Sequence, residues 1–102
     1  MNIRFFDAKL EKFIRSLDKS AAAKVLRTID LLKMFGYKLG LPHSKKVHVR
    51  LFELRIHGKL EVRIFYTFHR DTAILLHGFI KKSNRTPKKE LDLALQKLKA
   101  LD

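Results

Sequence analysis

The apolar pattern of this chain changes period once, and that change fixes the class of fold available to it. From Leu10 to Phe35 apolar residues recur at helical spacing, and from Arg50 onward they alternate with polar ones. Helices with one apolar stripe must cover something flat, and alternating strands supply it, so the chain reads as α+β.

Ile3 to Phe6 reads as a short edge strand, with Asp7 placed to cap the helix carrying Leu10, Phe13, Ile14 and Leu17. Ser20 is the expected cap of a second helix, whose stripe is Ala22, Val25, Leu26, Ile29, Leu32 and Phe35 and whose end is Gly36. The short joint between them implies an antiparallel helical hairpin. Tyr37 to His48, with two Gly, one Pro and the Lys45, Lys46 pair, reads as a loop.

Three strands follow. Phe52, Leu54 and Ile56 alternate up to a turn near His57, Gly58 and Lys59; Val62, Ile64, Tyr66 and Phe68 alternate up to a reversal at Arg70 and Asp71; Ile74 to Ile80 makes the third. Thr86 followed by Pro87 signals the start of a last helix, striped by Leu91, Ala94, Leu95 and Leu98. The expected order is β-α-α-β-β-β-α, a small antiparallel-rich sheet with an N-terminal helical hairpin and a C-terminal helix, in a single domain over residues 1–102.

Charge narrows the partners. Lys and Arg number 23 against 10 acidic residues, a formal net charge of +13, which biases encounter toward polyanions. A hydrophobic fraction of 46% with 8 Phe places that charge on a folded core and not on a disordered tail. No apolar run is long enough to span a membrane and the N-terminus lacks a signal-peptide core, so no membrane role is expected and the setting reads as cytoplasmic. The absence of cysteine removes disulfides, thiolate catalysis and thiolate zinc. His43, His48, His57, His69 and His77 are too scattered for a metal site, and Gly36, Gly40, Gly58 and Gly78 form no phosphate loop; neither metal nor cofactor is expected.

With acids sparse in the strands, the chemistry left is cationic. If each strand turns its more apolar set to the helices, Arg55, Arg63, His77 and Lys81 emerge on the opposite face. Arginine forks across phosphate oxygens, and lysine acts as a point charge or proton shuttle, so Arg55, Arg63, Lys81 and Lys82 are the candidates for metal-free RNA cleavage by 2′-hydroxyl attack. Lys45, Lys46, Arg50, Lys59 and Arg85 would guide nucleic acid, with Tyr66 and His77 as accessory candidates. Plainer readings stand beside these. Arg55 and Arg63 can be strand residues paired with Glu53 or Glu61, and Lys81 to Lys89 a solvated run of five cations without an acid. His77 can be a satisfied, half-buried histidine, Tyr66 a packed ring with its hydroxyl at the rim, and Phe65 and Phe79 either base-stacking platforms or packing for the last helix. An exposed Arg63 would leave the protein's melting unchanged when replaced by Ala.

The segments LFELRI, VRIFYTF and AILLHGFIKKSNRTPKKEL, with the two helices before them, resemble the HigB branch of the RelE/ParE toxin superfamily. That resemblance implies a RelE-like fold and a toxin of a type II toxin-antitoxin pair. It also implies a ribosome-dependent endoribonuclease (mRNA interferase) that cuts mRNA during translation, and a helix-turn-helix, HigA-like antitoxin as partner. On it, Arg55 closes the first hairpin strand, Arg63 and Tyr66 fall in an R-x-x-Y motif, and Lys81 and Lys82 are the basic pair after the last strand. The sequence departs from the RelE pattern in having no tyrosine after Lys82 and in carrying Glu53 where a basic residue is usual. Rival functions are a ParE-like DNA gyrase inhibitor and a non-catalytic nucleic-acid-binding module.

Overall fold

The computed structural model describes residues 1–101. Its elements are β1 (Asn2–Phe5), α1 (Ala8–Ser16), α2 (Lys19–Phe35), a 3-10 turn at Gly36–Lys38, β2 (Ser44–His48), β3 (Leu51–Ile56), β4 (Glu61–His69), β5 (Thr72–Lys81) and α3 (Lys88–Ala100). Five strands form one mixed sheet in the order β1-β5-β4-β3-β2, with β1 parallel to β5 and the other pairs antiparallel. This α+β arrangement is consistent with a small RelE-like fold.

One strand is more than the alternation indicates. β2 lies inside the stretch expected to be a loop, pairing Ser44 with Leu54, Lys45 with Glu53 and Lys46 with Phe52. The segment SKKVH has no apolar alternation because an edge strand has one ladder neighbour and two exposed lysines. Two caps also differ. Asp18, not Ser20, caps α2, its carboxylate accepting from the Ala21 amide at 2.8 Å. At α3 the proline itself occupies the cap position without a side-chain bond, and the Thr86 hydroxyl donates instead to Glu53 Oε2 at 3.4 Å.

The helical hairpin covers one sheet face. Leu10, Ile14, Val25, Ile29 and Leu32 pack against Leu54, Ile56, Val62, Ile64, Tyr66, Ala73 and Leu75, while Leu26 and Phe35 of the expected stripe stay exposed. Gly78 sets how near α1 can come: a Cβ there would lie 2.8 Å from both Leu10 Cδ1 and Phe13 Cδ2. On the other face α3 lays Ala94 and Leu98 over Leu51, Phe65, Ile74, Leu76 and Phe79. Phe65 and Phe79 are thus packing residues, their ring centroids 5.5 Å apart beneath the helix.

A bulge between the partners of Phe65 and Tyr66 shifts the β4–β5 register. Lys97 of α3 reaches this region, donating to the Leu76 carbonyl at 2.9 Å and pairing with Asp7 at 3.0 Å. Burial works to raise the Asp7 carboxyl, but Lys97 and the Leu10 and Lys9 amides outweigh it and hold its pKa below the ordinary value. Among the described residues no helix is long and apolar enough to cross a membrane.

Candidate nucleic-acid interface

Arg55 stands directly opposite Arg63 across the β3–β4 ladder, and Glu61 opposite Lys81 across β4–β5. Directly opposed residues project to the same side of a sheet, so Arg55 and Arg63 share the face that carries α3. α3 does not reach their end of it. There an open cleft is lined by Glu61, Arg63, Lys81, Lys82, Ser83 and Asn84, the last three from the loop beyond β5.

Arg63 is not the exposed arginine that alternation alone suggests. It is only 3% exposed, with Nη1 donating to the Val62 carbonyl at 3.1 Å and Nη2 to Glu61 Oε1 at 3.2 Å. Glu53, itself buried, places Oε1 3.8 Å from Arg63 Nε and 3.7 Å from Arg55 Nε, and neither Nε has a hydrogen-bond partner. Its other oxygen takes the Thr86 hydroxyl, which ties the loop after β5 to the sheet. Glu61 also accepts from the Gly58 amide at 3.2 Å and sits 2.8 Å from His57 Nδ1. Burial acts to raise the Glu61 carboxyl, yet His57, the Gly58 amide and Arg63 together keep its pKa below the usual value.

The two carboxylates are therefore structural partners of the arginines, and Glu61 lines the cleft itself. Their signal in the sequence is a repeated acid-x-arginine spacing, Glu53 to Arg55 and Glu61 to Arg63, which puts each pair on one side of its strand. Three cations, Arg63, Lys81 and Lys82, against Glu61 leave the cleft positive, with Arg63 as a fixed charge beneath the half-buried Lys81 and the exposed Lys82. Arg55 stands beside it, directly opposite Arg63.

The other sequence candidates disperse. Lys45 shares the register position of Glu53 and so the cleft face, whereas Lys46, opposite Phe52, faces the other way. Lys59 lies in the β3–β4 turn and lines a hollow on the helical side with Asp18, Ser20 and Lys24. Arg50 occupies the β2–β3 turn at φ 60°, at the far end of β3 from Arg55. Arg85 is exposed in the loop before α3.

Tyr66 is removed from the cleft altogether. It projects to the helical-hairpin face at 1% exposure, its hydroxyl bonded to that of Ser44, and burial pushes its pKa up. The partner that draws it inward sits on β2, which sequence periodicity does not show. His77 is half-buried, with Nε2 3.2 Å from Glu90 Oε2 and its ring stacked on Phe79, so its environment ties β5 to α3. Among the described residues no cluster of three His, Asp or Glu side chains is arranged to hold a metal ion.

A mixed sheet with a helical hairpin on one face and a cationic cleft beside the closing helix is the setting in which the chain's relatives are informative. Residues 12–99 match the family described as Phage derived protein Gp49-like, and the chain belongs to that family. It is a RelE/HigB-type family associated with the toxins of toxin-antitoxin systems. No curated protein matches the sequence.

Proposed function

We propose that this protein is the toxin of a type II toxin-antitoxin pair, of the HigB kind, and that it is a ribosome-dependent endoribonuclease cutting mRNA during translation. The observation that carries this reading is the direct opposition of Arg55 and Arg63 on a sheet face whose uncovered end opens onto Lys81 and Lys82. Family membership supports the toxin role and, with it, an antitoxin partner; the proposal takes that partner to be of the helix-turn-helix, HigA-like type.

In this mechanism the substrate's 2′-hydroxyl gives up its proton as its oxygen attacks the adjacent phosphorus, while the bond from phosphorus to the 5′-oxygen breaks and that oxygen takes up a proton, so none is gained or lost overall. The products are a 2′,3′-cyclic phosphate and a 5′-hydroxyl. Negative charge grows on the non-bridging oxygens, where preplaced cations lower the barrier most. Arg55, Lys81 and Lys82 touch those oxygens. Arg63, locked by Glu53 and Glu61, is a positioning residue that holds Arg55 and the β4 margin in place. No metal takes part.

The test is induction of the Lys81→Ala/Lys82→Ala double variant in cells, beside the unaltered protein, with growth and transcript ends as readouts. Both lysines lie at the rim, so the fold is retained. Cleavage is expected to fall roughly 100-fold, in line with losing charge stabilisation at a reacting phosphate. Undiminished cleavage removes the cleft from the mechanism. The engagement of Arg63 by two carboxylates favours one second reading, a cleft that binds nucleic acid without cutting; salt-sensitive RNA binding with intact transcripts on translating ribosomes would establish it. Inhibition of gyrase in a supercoiling assay, with transcripts uncut, would point to the ParE-like alternative.

A further inference from the structure

A second basic hollow lies around the margin of the sheet from the cleft. Its lining includes Lys24, Arg27 and Thr28 of α2, His43 before β2, and Arg55 and His57 at the end of β3. Among the described residues no carboxylate lines it. Lys24, Arg27 and Thr28 are three and four residues apart, so they form one patch of the helix surface, and the Thr28 hydroxyl is already committed to the Lys24 carbonyl.

Arg55 links the hollow to the cleft. The β2–β3 register ends at Ser44 and Leu54, and past it a single backbone bond, from the Arg55 amide to the His43 carbonyl at 2.8 Å, closes the sheet edge. Arg55 thus stands at the margin, opposite Arg63 on one side and in the lining of the hollow on the other. Glu61 makes a second link, its Oε1 contacting His57 of the hollow and Arg63 of the cleft. Lysines on an exposed helix are ordinarily just solvated. Here basic groups from three separate chain segments converge on one concavity.

We infer that this hollow is a second phosphate-binding subsite, taking RNA backbone next to the cleft, with Lys24 and Arg27 as its principal contacts and Arg55 standing between the two. The inference rests on the proposal that the cleft receives an RNA phosphate. It explains why cations of α2, remote in sequence from every strand residue, share a hollow with the arginine that stands opposite Arg63.

The experiment measures binding of a single-stranded RNA oligonucleotide, made uncleavable by 2′-deoxy substitution, over a range of salt concentrations. It compares the unaltered protein with Lys24→Ala/Arg27→Ala and Lys81→Ala/Lys82→Ala, and repeats the series with a dinucleotide too short to leave the cleft. Losing two phosphate contacts should flatten the slope of log affinity against log salt by about 1.4 and weaken oligonucleotide binding on the order of 10-fold, with dinucleotide binding unchanged. Co-sedimentation with vacant ribosomes identifies the source: a loss confined to the oligonucleotide assigns the subsite to messenger, a loss confined to ribosomes assigns it to ribosomal RNA, and either supports it. If only the Lys81→Ala/Lys82→Ala variant changes, the subsite is overturned and the cleft stands. If neither variant changes in any arm, the cleft proposal itself fails.

Discussion

The two ends of one sheet face differ less in exposure than in how they are satisfied. Under α3, Phe65 is 1% exposed; two residues back along the same strand Arg63 is 3% exposed, and Glu53, diagonal to it on β3, 4%. The first end is closed by apolar contact with a helix. The second is closed by guanidinium and carboxylate groups that occupy one another and by a loop pinned through Thr86. A 13-residue α3 is about 20 Å long and begins only at Lys88, so cover by helix runs out where the charges begin. Burial at this cleft therefore comes from polar pairing, which fixes geometry while adding little net stability.

The largest effect expected on that contrast is at the apolar end, where Phe65→Ala should lower the unfolding free energy by about 4 kcal/mol in urea titration. Arg63→Ala should cost about 3 kcal/mol, because it strands Glu53 and Glu61 beside fewer cations. This revises the expectation that Arg63 can be deleted at no cost to the fold; a variant melting like the unaltered protein would break the contrast between the two ends.

Asp7→Asn keeps a capping oxygen for α1 but loses the charge pair with Lys97, at about 1 kcal/mol near neutrality. The sign with pH follows from the lowered Asp7 pKa: its contribution is present above the ordinary carboxylate range and is lost as pH falls through the depressed folded value. The asparagine variant should show a flatter acid limb, and an unchanged limb would deny the pair any part in acid stability. Thr86→Val, which frees the loop from Glu53 across a long 3.4 Å bond, should cost about 0.5 kcal/mol by thermal melting. Lys82→Ala should move stability by less than about 0.5 kcal/mol while lowering transcript cleavage, which separates reactivity from folding at the open end.

Local periodicity was enough to read α1, α2 and the β3–β4–β5 meander, because each buries a regular stripe against a partner near in sequence. It missed β2, whose place is set by hydrogen bonds to β3 rather than by apolar side chains. Everything that hangs on β2 was missed with it, including the inward turn of Tyr66 toward Ser44. The cleft was half legible. Alternation put Arg55 and Arg63 on one face and offered Glu53 and Glu61 as their partners, but the depth of Arg63 also depends on the cross-strand reach of Glu53 and on the loop beyond β5, which no single strand encodes. Lys24 and Arg27 look like ordinary solvated helix residues until the fold sets them beside β3.

The parallel pairing of β1 with β5 has a consequence for how the molecule comes into being. β1 docks only on β5, an exchange of near neighbours for distant ones that slows folding. Arg63 and Lys81 likewise come from opposite arms of the final hairpin. Both the outer edge of the sheet and the charge cluster therefore wait on β5: β1 has its seat only once Thr72 to Leu75 are in place, and the cluster is complete only with Lys81.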